Sequence, residues 1–116
     1  MESKAAKRLT IFISEGATWK HQPLYRAILD ELNRIGIKQA AAIKAIAGFG
    51  TDRVIRTANI EVLSVNLPIL VEAVDLETKI DLALQSISEM ARGALIEVMP
   101  ATLVGPVKDA AEQKGE

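Results

Sequence analysis

The clearest candidate for a binding site is a glycine-rich loop with two arginines, in the stretch "AGFGTDRVIRT". Gly48 and Gly50 flank Phe49 and permit backbone angles that other residues resist, and such turns can present successive N–H groups to an anion. Arg53 and Arg56 add guanidinium forks that suit a phosphate or a carboxylate. The alternative is a wide β-hairpin with solvated arginines. The loop taken alone favours this alternative, because a lone Gly-x-Gly is a weak signal.

Two further stretches carry side chains suited to binding. In "TWKHQP", Trp19 is the only tryptophan of the chain, and it lies beside Lys20 in a predicted loop. This indole is suited to stacking on a base or filling a subunit interface, or else to covering the edge of the core. In "EMARGALIE", Arg92 and Gly93 can bring a cation and a free backbone to a neighbouring subunit's loop, or else form an ordinary helix C-cap. For both stretches the residues alone support the structural role at least as well.

The residues do not form a catalytic constellation. His21 is the only histidine and there is no cysteine, so the chain lacks a histidine cluster or thiolate set for a metal and has no thiol nucleophile. The serines lack a nucleophile-elbow sequence, and "GFGTDR" lacks the Gly-Lys-Ser/Thr ending of a Walker loop. Glu72 and Glu97 interrupt apolar strands, and we expect each to find a partner or water rather than to act in catalysis. We therefore predict that the protein is not an enzyme.

Length and composition indicate one small domain. The chain has 116 residues, of which 49% are apolar, and a formal net charge of −1. The charge gives no electrostatic case for nucleic acid, and with 3% aromatic residues the chain lacks the strand aromatics of RNA-recognition domains. A domain of this size buries a smaller share of its surface than a large one, so we expect it to oligomerise. No apolar run approaches about 18 residues and the N-terminus lacks the apolar segment of a signal peptide, so we expect a cytoplasmic protein.

Apolar periodicity predicts two helices and four main strands. The strands are "RLTIFIS", "IKQAAAIKAIA", "LPILVEAV" and "ALIEVMPATLV", with an additional short strand at "NIEVLS". The first helix is predicted to begin at Pro23 and to end at Gly36. The second is predicted to be capped by Asp75 and stopped by Gly93.

The predicted order is β-α-β-β-α-β with an extra short strand. Two crossover helices on one face of a mostly antiparallel sheet are typical of a ferredoxin-like α+β sandwich. We predict a single domain over residues 1–104, followed by a flexible C-terminal tail at 105–116.

The stretches "KRLTIFISEGATWKHQPLYRAILDELNRIGI" and "AIAGFGTDRVIRTANIEVLSVNLPILVEAVD" resemble the family DUF190, which belongs with P-II-like proteins. The resemblance spans about 7–98 and depends on the ordered set "SEG…W…PLY", "AGFG", "LS…LPI" and "E.VD". Two features depart from the nitrogen-signalling P-II proteins. The loop has no tyrosine for covalent modification, and the glycine-rich, lysine-containing turn of those proteins is reduced to "ARGA".

The resemblance implies a homotrimer in which the sheets surround a threefold axis. It implies an adenine nucleotide (AMP, ADP or ATP) as effector, in clefts between subunits, held by the mobile loop at 48–57, the turn at 90–94 and basic residues of a neighbour. Arg53 and Arg56 become the expected anion contacts, and Arg92 a contact from a second subunit. The loop is expected to touch a partner protein, and the resemblance points to a membrane transporter or channel. The alternative is a structural or metal-ion-tolerance-type trimer with no nucleotide ligand.

Overall fold

The structure is a computed structural model that describes residues 3–58 and 66–105. Within these residues the chain forms two helices and eight strands. In chain order they are β1 Ser3–Ser14, β2 Thr18–Trp19, β3 Gln22–Pro23, α1 Leu24–Ile35, β4 Gln39–Lys44, β5 Ala47–Gly48, β6 Arg56–Thr57, β7 Pro68–Leu76, α2 Glu77–Met90 and β8 Leu95–Val104. The short strand predicted at "NIEVLS" lies outside the described residues, and so does all of the predicted tail except Gly105.

Four strands form one antiparallel sheet in the order β4-β7-β1-β8. The central strand β1 pairs with β7 on one side and with β8 on the other, so that Thr10 lies between Glu72 and Glu97. β4 completes the sheet by pairing with β7. One helix follows β1 and the other follows β7, which is the connectivity of a ferredoxin-like α+β sandwich. The predicted fold class is therefore confirmed.

The core lies between the two helices and one face of the sheet. Alternate residues of β1 and β7 point towards the helices and are buried, as the two-residue period of a strand requires. The helices contribute residues spaced three, four or seven positions apart. The buried core consists of Leu9, Ile11, Ile13, Leu24, Ile28, Leu32, Ile69, Val71, Ala73, Ile80, Ala83, Ile87 and Ala91.

Helix α1 ends where the sequence predicted. Gly36 has a φ of 93°, a left-handed angle that glycine adopts without a Cβ clash. The N–H of Ile37 donates to the Leu32 carbonyl at 3.0 Å, which is the long bond of a Schellman cap. In addition, Lys79 Nζ donates to the Ile35 carbonyl at 2.8 Å and so links α2 to the end of α1.

The prediction that Asp75 caps the second helix is wrong. β7 continues to Leu76 because its pairing with β1 extends that far, with Lys7 opposite Asp75. Asp75 is 2% exposed, and its two carboxylate oxygens accept the backbone N–H groups of Lys38 at 2.8 Å and Leu76 at 2.6 Å. The side chain therefore ties the segment before β4 to the end of β7.

The other face of the sheet, here called the open face, carries apolar side chains that remain exposed. Phe12 is 38% exposed, Ile43 49%, Leu95 69% and Met99 49%. No element among residues 3–58 and 66–105 covers this face. Glu72 lies on it and has an ion pair there, with Arg8 Nη1 at 3.2 Å.

Candidate functional site

The predicted loop at 48–57 forms most of a small β-hairpin, here called the loop hairpin (residues 46–58). β5 and β6 pair antiparallel, with Ala47 opposite Thr57 and Gly48 opposite Arg56. Two further backbone bonds fix its base: Ala58 N–H donates to the Ile46 carbonyl at 2.7 Å, and Ala45 N–H donates to the Pro68 carbonyl at 2.9 Å. The two ends of the segment are thus held together beside the start of β7.

The two glycines do not adopt the left-handed backbone angles that the sequence interpretation allowed for, and their role in binding stays a prediction. Neither Gly48 nor Gly50 has a positive φ. Gly48 instead lies against the ring of Pro68, where an added Cβ would come within 3.1 Å of Pro68 Cγ. An added Cβ at Gly50 would meet nothing within 4 Å. Close approach at the hairpin base, rather than an unusual backbone angle, therefore explains Gly48.

The left-handed position of the loop hairpin is occupied by Arg53, with a φ of 59°. Its N–H donates to the Gly50 carbonyl at 2.9 Å, which closes a β-turn over 50–53. Hairpins commonly place glycine at a left-handed residue that follows such a turn. A large side chain at this angle carries a conformational cost, and such costs concentrate at functional positions.

Both arginines of the loop hairpin contact groups of the hairpin itself. The guanidinium carbon of Arg53 lies 5.5 Å from the centroid of the Phe49 ring, within cation–π range. Arg56 Nη1 lies 3.0 Å from Asp52 Oδ2 and also donates to the Val54 carbonyl at 3.3 Å. The pKa of Asp52 is lowered, first by the Val54 N–H bonded to its other oxygen at 3.0 Å and then by Arg56.

The loop hairpin also exposes an unusual amount of apolar surface. Ile46 is 81% exposed, Phe49 52%, Val54 49% and Ile55 72%. Single exposed apolar residues are ordinary on protein surfaces, whereas four within ten positions of one hairpin form a patch. The hairpin therefore combines cations for an anion with apolar surface for a protein or an aromatic ring.

All the predicted site segments leave the same end of the sheet. β1 ends at Ser14, opposite the first residue of β7, and β8 begins at Leu95, opposite Phe12. The loop hairpin follows the edge strand β4, however, whereas Arg92 and Gly93 precede the opposite edge strand β8. Three inter-strand spacings, roughly 14 Å, separate these edges. The fold therefore places the loop hairpin and the segment with Arg92 next to opposite edge strands of the sheet.

Trp19 and Lys20 lie in a second hairpin, formed by β2 and β3. Lys20 and His21 are its two turn residues, with φ of 49° and 69°, and Lys20 Nζ lies 5.4 Å from the Trp19 ring centroid. The indole borders a cleft of about 460 Å³ between the two helices. Glu31 and Arg34 occupy this cleft as a bidentate ion pair, with N···O distances of 2.7 and 2.8 Å. The cleft lies on the helical side of the sheet, and no residue of the loop hairpin lines it.

A polar network behind the loop hairpin was missed by the sequence interpretation. Asn66 Oδ1 accepts hydrogen bonds from the Ser14 hydroxyl and the Gly16 N–H, each at 2.7 Å. Lys44 Nζ pairs with Glu15 Oε2 at 2.7 Å, and this lysine lowers the pKa of Glu15. The "SEG" motif was the available signal, but the partners lie 29 to 52 positions away in the chain and only pairing of the strands brings them together.

The described part of the chain contains neither a metal-ligand cluster nor a membrane-spanning helix. Within residues 3–58 and 66–105, no three histidine, cysteine or acidic side chains are placed to hold a metal ion. No helix in the same ranges has both the length and the apolar character needed to span a bilayer.

Comparison with known proteins identifies the family. Residues 6–103 match DUF190, described as "Uncharacterized ACR, COG1993". The chain belongs to the DUF190 family. A UPF0166 protein from Methanocaldococcus jannaschii is 38% identical over 73% of this chain and 78% of that protein. A UPF0166 protein from Aquifex aeolicus is 34% identical over 77% of this chain and 85% of that protein.

The fold of this DUF190 chain is also that of PII-like proteins. CPII, a nitrogen regulatory PII-like protein from Thiomonas intermedia K12, was solved bound to ADP, AMP and bicarbonate. It superposes with a TM-score of 0.66 at 16% identity, covering 90% of this chain and 93% of CPII. The resemblance to DUF190 and the P-II-like fold expected from the sequence are therefore confirmed.

Proposed function

We propose that this protein is a trimeric PII-like regulator that binds an adenine nucleotide in clefts between subunits. The observation that carries the proposal is the loop hairpin, which brings one aromatic ring and two guanidinium groups together at one end of a PII-like sheet. Guanidinium forks suit phosphate oxygens, and Phe49 suits the base or an apolar partner surface. The PII-like CPII, solved with ADP and AMP, makes this ligand class the first to test.

The trimer in this proposal accounts for two features of the single chain. The open face leaves Phe12, Leu95 and Met99 partly exposed, and other copies of the same sheet would cover them. Arg92 precedes the edge strand opposite to the one that the loop hairpin follows, so in this proposal it serves the cleft as a contact from the neighbouring subunit. Trp19 and Lys20 line the cleft between the two helices, so they support the proposed nucleotide cleft between subunits less than the arginines do.

In the proposed mechanism, the nucleotide changes the conformation of the loop hairpin, and no reaction takes place. Ligand phosphates bind Arg53 and Arg56, which shifts the hairpin towards a form with a different fit to its partner. Its exposed residues Ile46, Val54 and Ile55 supply the apolar part of that contact. We expect the partner to be a membrane transporter or channel and the regulator to act from the cytoplasm.

The test is thermal unfolding of the wild-type protein titrated with AMP, ADP, ATP and their cyclic forms. A ligand that binds only the folded state stabilises it by about 2.7 kcal/mol at a hundredfold excess over Kd, so a real site gives a saturable rise in the midpoint. Arg53→Gly combined with Arg56→Gln should abolish this rise. Glycine is chosen at position 53 because it accepts the left-handed angle without strain. Arg26→Gln, which removes an exposed arginine from α1, should leave the rise intact.

A structural trimer is the second candidate, and a specific observation favours it. Both arginines of the loop hairpin already have partners within the hairpin, as they would in a purely structural turn. This candidate predicts a trimer with no saturable shift for any nucleotide. That outcome would overturn the nucleotide proposal.

A further inference from the structure

The arrangement of Asp52 in the loop hairpin shows how a ligand site there would be regulated. One carboxylate oxygen of Asp52 accepts the Val54 N–H at 3.0 Å, and the other lies 3.0 Å from Arg56 Nη1. The side chain of Asp52 is 51% exposed and that of Arg56 is 31% exposed. The pair is therefore open to solvent and to any anion that approaches the hairpin.

An exposed ion pair four residues apart contributes little to the stability of a fold. The Asp52–Arg56 pair has a larger consequence for anion binding than for stability. A carboxylate binds the same guanidinium N–H groups that a phosphate would bind, because both present oxygens that fit the planar fork. While Asp52 holds Arg56, one donor of the proposed anion site is occupied and its charge is neutralised.

We propose that Asp52 is an internal competitor for Arg56, so that the hairpin conformation described above is the anion-free state. A phosphate of the ligand displaces Asp52 Oδ2 from Arg56. The released Oδ2 turns to solvent, while Asp52 Oδ1 keeps the hydrogen bond from the Val54 N–H. This inference rests on the proposed function, since it concerns the same site. It adds that affinity is limited by a group of the chain itself.

The turn around Asp52 would transmit that displacement. Asp52 is followed directly by Arg53 in its left-handed conformation, and Arg53 in turn contacts Phe49. The bond from Val54 N–H to Asp52 and the bond from Arg53 N–H to the Gly50 carbonyl both close the same tip. A change in the position of Asp52 would therefore also move Arg53 and Phe49. The exposed side chains of Val54 and Ile55 would move with them.

The experiment compares ADP binding by wild type and Asp52→Asn, measured by calorimetric titration at fixed ionic strength. Asparagine keeps an oxygen for the Val54 N–H and removes only the charge, so we expect ADP to bind about three- to tenfold more tightly. Asp30→Asn is the matched control. Asp30 pairs with Arg26 on α1 at the same spacing in the chain and at 3.1 Å, and its side chain is 55% exposed, close to the 51% of Asp52. This control should change the Kd by less than about twofold.

A second comparison separates competition at Arg56 from a general effect of charge. In an Arg56→Gln background, Asp52→Asn should no longer improve ADP binding, since the group for which they compete is gone. If wild type binds ADP and Asp52→Asn binds equally or less tightly, the inference is overturned and the proposed function stands. If neither wild type nor Asp52→Asn binds ADP or any other nucleotide of the thermal-unfolding panel, both are overturned. Binding by Asp52→Asn alone would support competition strongly.

Discussion

The two faces of the sheet are built from the same strands and differ in what completes them. On β1, Leu9, Ile11 and Ile13 are at most 8% exposed because α1 and α2 of the same chain cover them. Phe12, on the opposite face of the same strand, is 38% exposed. Among residues 3–58 and 66–105 the helices therefore cover one hydrophobic face of the sheet, and no element covers the other.

The largest expected effect is on the face covered by the helices. Ile11 is fully buried, and Ile11→Ala removes apolar atoms and leaves a cavity between the sheet and the helices. We expect a loss of about 2–5 kcal/mol in the free energy of unfolding, measured by urea denaturation. A loss below about 1 kcal/mol would mean that this face is not the stabilising core.

The next effect is on the open face and concerns assembly. Leu95→Asp places a carboxylate on an apolar surface that other copies cover in the proposed trimer, so we expect the trimer to dissociate. Light scattering coupled to size-exclusion chromatography measures the mass. Leu82→Asp is the control, because Leu82 is 51% exposed on the helical side and its substitution should leave the trimer intact. A trimer that survives Leu95→Asp would place the subunit interface elsewhere.

The smallest effect concerns acid stability on the helical side. Arg34, with help from the Ser86 hydroxyl, lowers the pKa of Glu31 from 4.5 to about 2. Because the folded state binds this proton less tightly than the unfolded state, the stabilisation is present above pH 4.5 and is lost as the pH falls towards 2. Arg34 is 70% exposed, so solvent screening keeps this contribution to the free energy of unfolding small.

Glu31→Gln should remove that part of the pH dependence, seen as a flatter curve of unfolding free energy between pH 4.5 and pH 2. Glu89→Gln, a like change on α2, serves as the control and should leave this part of the dependence in place. Curves of equal slope for wild type and Glu31→Gln would contradict the role given to the ion pair.

The sequence was a good guide to the parts of the fold set by nearby residues. Apolar periodicity predicted the strand at "RLTIFIS" and the first helix between Pro23 and Gly36, where the structure has β1 Ser3–Ser14 and α1 Leu24–Ile35. Gly36 was correctly predicted as the end of that helix. These predictions succeeded because strand alternation, helical periodicity and helix caps depend on residues a few positions apart. The resemblance to DUF190 correctly predicted the family and the PII-like fold.

The candidate site was predictable in its residues but not in its contacts. The stretch "GFGTDRVIRT" pointed to the loop, yet nothing in it indicated that Arg53 would take the left-handed angle or that Gly48 would lie against Pro68. The role of Asp75 was missed for the same reason, since its partner Lys38 lies 37 positions away. The expected use of Arg53, Arg56 and Arg92 in a nucleotide cleft stays a prediction.

By itself the sequence determined the periodic elements, the absence of cysteine and of a histidine cluster, and the family, because these depend on residue types and short spacings. Only the tertiary structure decided that one face of the sheet is uncovered among the described residues, and that the loop hairpin and Arg92 adjoin opposite edge strands. The physical reason is that strand order and register bring together residues far apart in the chain. Which charges then meet depends on distances of a few ångströms, which no local pattern encodes.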